Sequence, residues 1–169
     1  MKKTLIVVDM QNDFVSGALG SSEAIGIIPN VKSKIDQYLS CGDQVIFTRD
    51  THTPDYLNTN EGKHLPVTHC VDGTDGWQVV PELDIAECDH IDKAHFGYTD
   101  WNKKYDFNQI ELVGVCTDIC VVSNAIILKA QFPEIDITVD ASCCAGVTPA
   151  SHSAALDTMA ACQINIINR

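Results

Sequence analysis

No CxxC pair occurs in this sequence, although it contains eight cysteines. A chain of 169 residues rich in ordinary core sequence has no need of a disulfide scaffold. Cys41, Cys88, Cys143, Cys144 and Cys162 therefore read as small buried hydrophobes of a reducing compartment. No apolar run approaches the roughly 18 residues of a membrane span. No GxGxxG follows the first apolar run, which removes support for a dinucleotide site. Basic residues are scarce, 11 against 23 acidic ones, and the net charge of −12 argues against nucleic acid or an anionic membrane as partner. Repeats, low-complexity tracts and linkers are also missing, so residues 1–169 read as one domain. The opening "MKKTLIVVDMQNDF" begins like a signal peptide, but its apolar run breaks at Asp9, well short of an h-region. A buried strand fits it better, and the cytoplasm is the expected location.

What the chain does have is a succession of short apolar runs alternating with helical patterns. Residues 4–8, 44–48, 111–115, 136–139 and 164–168 read as strands, with a weaker one at 89–93. Their hydrophobicity is continuous rather than alternating, which suits a parallel sheet covered on both faces. Between them, 29–42 is a helix with Val31, Ile35 and Leu39 on its inner face, Pro29 in its first turn and Gly42 at its stop. Residues 119–132 and 148–162 are two more, the second with Thr148 as N-cap and Pro149 at the first helical position. The expected fold is a three-layer α/β/α sandwich around a mostly parallel central sheet.

In such sheets ligands bind beyond the carboxyl ends of the strands. Asp9, Asp50, Lys93 and Cys120 all fall at such ends. Any one of them alone is more simply a cap or a surface charge. Together, a cysteine, a carboxylate and an ammonium supply a nucleophile, its base and a charge that favours the thiolate. Within "GVCTDICVV", Cys116 and Cys120 could form a disulfide, half of a metal site or a redox pair. The better reading has one nucleophile and one bystander. Cys120 opens a helix, at the positive end of its dipole, with Thr117 and Asp118 placed to cap it. Cys116 sits in the preceding turn, where its backbone is better placed than its side chain.

A second constellation lies in "DTHTPDYLNTNEGKHLPVTH", residues 50–69. Asp50 and His52 are two apart in an extended segment and face one way. Glu61, His64 and His69 follow on a polar loop. Carboxylate and imidazole donors suit zinc, iron or manganese.

These segments resemble the isochorismatase-like cysteine hydrolases, and among them the nicotinamidases, also called pyrazinamidases. The similarity spans nearly the whole chain. "VVDMQNDFVSGALG", "DKAHFG" and "GVCTDICV" resemble the three catalytic segments, which implies a catalytic Asp9, Lys93 and Cys120. It also implies a cis Val115–Cys116 bond and an oxyanion hole built from the amides of Cys116 and Cys120. "FTRDTH" and "PVTHCVDGTDGW" resemble the nicotinamidase metal loop, implying Asp50, His52 and His69 as ligands, with Glu61 as the fourth and His64 as bystander. Zinc is the first expectation for the ion, which the resemblance assigns to positioning a ring nitrogen rather than to making hydroxide.

The resemblance implies a metal-dependent amidase that converts nicotinamide to nicotinate and ammonia through a thioester, as a dimer or tetramer. Two departures affect the pocket. "HFGYTDW" replaces the usual "YSAF"-like segment, and the aromatic expected just before "PVTH" is absent. Phe14 and Phe96 can still stack on a flat ring, with Leu19 beside them. A third wall would then come from Tyr98, Trp77 or a neighbouring subunit. The competing readings are a related hydrolase of another small amide, and a ligand- or metal-binding member without turnover.

Overall fold

A computed structural model describes residues 2–169. Its centre is a six-stranded sheet of β1 (Thr4–Val8), β2 (Gln44–Asp50), β3 (Asp89–Lys93), β4 (Gln109–Val115), β5 (Asp136–Ala145) and β6 (Asn165–Ile167). The strands lie in the order β3-β2-β1-β4-β5-β6, and every pairing is parallel. All five residues of β1 are buried, as its unbroken run of apolar, mostly β-branched residues demands. Alternation divides them between two cores: Leu5 and Val7 face one layer, Ile6 and Val8 the other.

The first layer contains α3 (Ile28–Ser40), preceded by the short α1 (Asn12–Val15) and α2 (Ser22–Gly26). Its buried face is Val31, Ile35 and Tyr38, whereas Leu39 is 38% exposed. At ~100° per residue, Tyr38 lies only about 20° from Val31 around the helix and Leu39 about 80° away. Tyr38 takes the inner place because its hydroxyl finds a partner, donating to Glu111 Oε2 at 2.6 Å. Gly42 ends the helix in the left-handed region, φ +73°.

On the opposite face lie α5 (Trp101–Lys104), α6 (Val122–Gln131) and α7 (Pro149–Ala161). Trp101, Ala125, Leu128, Leu156 and Met159 join them in one core against the sheet. Thr148 caps α7 as expected, accepting from Ser151 N while Ser151 Oγ accepts from Thr148 N.

Three strands run further than their apolar runs suggest. β5 continues past Val139 through a bulge, Leu112 pairing with Val139 but Gly114 with Cys144. Asp140 and Ser142 interrupt its hydrophobic pattern there, which hides the continuation. Cys143 and Cys144 are buried, but Cys41 and Cys162 are exposed and Cys88 is half-buried, and no cysteine is in a disulfide. Cys41 and Cys162 stand at the C-caps of α3 and α7, where helices reach the surface. Among the described residues no helix is long and apolar enough to cross a membrane.

Candidate active site

The order of the sheet reverses between β1 and β4, because the chain builds outward from β1 to β3 and then returns to start β4 on the other side. That reversal opens a crevice at the carboxyl ends. Gly114 brings its two walls together. It has φ +115°, and a Cβ there would lie 2.1 Å from the Val8 carbonyl oxygen. Asp9 follows β1 at one side of the crevice, and the turn bearing Cys116 and Cys120 follows β4 at the other. Asp50 and Lys93 close β2 and β3 as register partners.

The side chains converge as the strand positions require. Lys93 Nζ lies 2.7 Å from Asp9 Oδ2, 3.5 Å from Asp50 Oδ1 and 3.8 Å from Cys120 Sγ. All four residues are buried. Asp9 is held with φ +49°, a conformation that costs a non-glycine residue roughly 1 kcal/mol or more. Thr48 Oγ1 donates to Asp9 Oδ1 at 2.6 Å. Oδ2, beyond its ion pair with Lys93, has no hydrogen-bond partner. A buried carboxylate therefore keeps one oxygen available beside a thiol.

Burial raises the Asp9 carboxyl above its ordinary range, with Lys93 opposing. Burial likewise pushes the Cys120 thiol well up, Asp9 adds to the effect, and Lys93 opposes it. The charge of Lys93 acts in the direction expected of it, towards the thiolate, against the larger effect of burial. Lys93 itself is raised, because Asp9, Cys120 and Asp50 overcome the effect of its burial, and it stays charged. Burial thus works against charge on both Asp9 and Cys120, and Lys93 works for it.

Cys120 belongs to a π-helical turn, Thr117–Val121, that precedes α6. Thr117 and Asp118 do not cap it. Thr117 Oγ1 pairs with His152 Nδ1 at 2.8 Å, and Asp118 Oδ1 accepts from Val147 N at 3.0 Å. Both side chains instead pin the turn to the approach of α7. The Val115–Cys116 peptide is cis. Burial, then Asp118 and Asp9, push the Cys116 thiol up to about 12.

A cavity of about 400 Å³ opens over Cys120, and Phe14, Leu19, Phe96, Cys116 and His69 share its lining. Tyr98 and Trp77 do not. Tyr98 packs edge-on against Trp101 at 5.1 Å, and Trp77 donates to Thr51 Oγ1 beneath the Arg49 guanidinium. Leu65 and Ile119 fill out the wall instead.

Asp50, His52, Glu61 and His69 gather one donor atom each within 4.8 Å of one another. Glu61 reaches them from α4 (Asn60–His64), a helix capped by Thr59, where a polar loop was expected. His64 stays outside the group, bonded through Nδ1 to Asn60 O. His69 Nδ1 is held by Val67 O at 2.7 Å, which turns Nε2 towards the cluster. His52 Nε2 is buried and has no hydrogen-bond partner, although Asp50 Oδ2 is 2.9 Å away. The other three imidazole–carboxylate separations are 3.7–3.9 Å. A tetrahedral ion with bonds of about 2.0–2.2 Å keeps its donors roughly 3.3–3.6 Å apart; these separations lie on either side of that span, and the two imidazoles and two carboxylates suit a divalent cation. Burial alone would raise Asp50, but the neighbouring His52 and His69 imidazoles and the charge of Lys93 hold its carboxyl below the usual range. Burial and the charge of Asp50 raise Glu61.

Two buried polar residues of the site carry no signal in the sequence. Gln11 clasps Asp50, its Nε2 donating to Asp50 O at 2.8 Å and its Oε1 accepting from Asp50 N at 2.7 Å. Asn124 Nδ2 donates to Cys120 O at 2.8 Å and to Phe96 O at 3.2 Å, joining the turn of Cys120 to the cavity wall. An isolated glutamine or asparagine reads as surface, and only its partners mark it otherwise.

Residues 3–169 match the Isochorismatase domain family. The chain is 27% identical to the nicotinamidase/pyrazinamidase of Mycobacterium tuberculosis, with 98% of each chain covered. It is 29% identical to the nicotinamidase of Saccharomyces cerevisiae, over 73% of this chain and 80% of that one. The fold superimposes on the pyrazinamidase of Pyrococcus horikoshii in complex with zinc at a TM-score of 0.88, with 28% identity and complete coverage of both chains. The chain therefore belongs to the isochorismatase family, as one of its hydrolases.

Proposed function

We propose that this hydrolase is a nicotinamidase, a one-domain cytoplasmic enzyme that converts nicotinamide to nicotinate and ammonia. The observation that carries the reading is one cavity bordered by both Cys120 and His69, so that an amide and a ring nitrogen can be addressed together. The names of the Mycobacterium tuberculosis and Saccharomyces cerevisiae relatives support it. Asp50, His52, Glu61 and His69 would hold a divalent ion, zinc first because the Pyrococcus horikoshii relative was crystallised with it. When bound, that ion supplies a Lewis-acidic anchor for a ring nitrogen.

The chemistry belongs to the chain's own residues. Asp9 Oδ2 accepts the Cys120 proton as sulfur attacks the amide carbon, and Lys93 at 3.8 Å balances the charge forming on sulfur. The amides of Cys116 and Cys120 donate to the oxyanion. As the C–N bond breaks, Asp9 returns its proton to the departing ammonia, leaving a thioester. Water then attacks the thioester carbon as Asp9 takes a proton from it, and Asp9 returns that proton to sulfur as the C–S bond breaks, which restores the thiol and releases the acid. Phe14, Leu19 and Phe96 hold the ring between them.

A related activity on another small amide is favoured by one feature, the aliphatic Leu65 where nicotinamidases carry an aromatic residue. The deciding experiment is ammonia release from nicotinamide by zinc-loaded and chelator-treated protein. Release that depends on zinc supports nicotinamidase. No release from nicotinamide, with turnover of a different amide, replaces it with the related activity.

A further inference from the structure

The four metal-type donors are not equally held. Their side chains are 2% exposed at Asp50, 7% at His52 and 2% at His69, but 21% at Glu61. Asp50 is clasped through its backbone by Gln11, and His69 is tied to Val67 O. The Glu61 carboxylate only approaches the two imidazoles, at 3.7 and 3.9 Å, beyond hydrogen-bond distance. Two donors are tied by hydrogen bonds, His52 is held by burial, and Glu61, the most exposed, is the loose one.

The loose donor faces a different space from the nucleophile. A second cavity, of about 730 Å³, is lined by His52 and Glu61 together with Thr53 and Asn60, whereas the cavity over Cys120 reaches the cluster only through His69. Phe96 lines both and stands between them. His64 and His95 also line the outer cavity. A metal centre needs a path as well as ligands, and a chelated ion departs by losing its donors one at a time. The donor that leaves first is the one with the fewest other contacts.

We propose that the ion exchanges through this outer cavity, with Glu61 as the displaceable ligand, and that the cavity over Cys120 is reserved for substrate. This rests on the reading of the four residues as a metal centre. The ion's route then does not pass through the nucleophile's cavity.

The test is the rate at which zinc-loaded protein gives up zinc to a chromogenic chelator, followed by absorbance. Glu61→Gln should release zinc at least about tenfold faster. Two tryptophans then narrow one cavity each. Thr53 is exposed on the outer cavity and Val147, 60% exposed, borders the inner one. Thr53→Trp should slow release about fivefold or more, and Val147→Trp should leave it within twofold. Slowing by Val147→Trp with no effect of Thr53→Trp would overturn the outer route, as would no effect of either. Release from Glu61→Gln at the wild-type rate would remove its role. Thermal melting of each variant separates a plugged cavity from a damaged fold. A protein that takes up no zinc at all fails at the metal reading itself, whereas the other failures leave that reading standing.

Discussion

Replacing Lys93 by Met tests the catalytic arrangement most directly, because it removes a charge and keeps the shape. Lys93 Nζ is set against two buried carboxylates, 2.7 Å from Asp9 and 3.5 Å from Asp50. At an effective dielectric of ~20, a contact of 2.7 Å represents about 6 kcal/mol of gross attraction. Without it, two carboxylates face each other, and one must take a proton. Asp50 is held low by His52 and His69, while Asp9 is already raised by burial, so Asp9 is the group that protonates. A protonated Asp9 has no vacancy for the thiol proton. Loss of a general base lowers kcat/KM by about 10²–10⁴-fold, or roughly 3–5 kcal/mol of barrier.

The pH dependence of stability follows with a definite sign. A carboxyl whose folded pKa exceeds its unfolded value keeps its proton in the native state after the unfolded chain has released it. Folding is then progressively disfavoured as pH rises from about 4 towards the folded pKa. The melting temperature of Lys93→Met should fall further behind wild type across pH 4 to 7, measured by calorimetry in matched buffers. A gap that stays constant or narrows, or activity within tenfold of wild type, would refute the reasoning.

Cys120→Ala should abolish amide hydrolysis and barely change the melting temperature, while Cys116→Ser retains most activity, because only the backbone of Cys116 is used; ammonia assays of both variants check this. A substrate panel measured as kcat/KM should rank nicotinamide and pyrazinamide together, benzamide far lower for lack of a ring nitrogen, and isochorismate inert. Thr148→Ala removes the acceptor for Ser151 N and should cost about 1 kcal/mol, a drop of roughly 2–4 °C in calorimetry, with kcat/KM unchanged.

The scaffold was readable because a parallel sheet covered on both faces needs apolar residues along its strands, and β1 supplies four in a row after Thr4. Where function or packing breaks that run, reading fails. Asp140 and Ser142 conceal the second half of β5. They do so because Asp140 accepts from Lys34, at 2.8 Å, and from the Ser142 hydroxyl, a set of partners scattered over the chain. The short helices α1, α2, α4 and α5 span at most five residues, too few for an amphipathic period to show. Tyr38 displaced Leu39 from the core for a reason held 73 residues away, at Glu111.

The site divides along the same line. Asp9, Asp50, Lys93 and Cys120 are legible because each is local to a strand end, and the order of the sheet alone brings the four ends together. The cavity walls have no such rule. Phe14 follows β1, Leu65 lies between β2 and β3, Phe96 follows β3, Ile119 follows β4 and Val147 follows β5. Each wall residue is thus placed by a different loop, and loops can change independently of the sheet that carries the chemistry. That is why Tyr98 and Trp77 looked plausible as a third wall and turned out to be committed elsewhere. It is also why the reaction class follows from four strand ends, whereas the choice of amide depends on five loops and has to be measured with substrates.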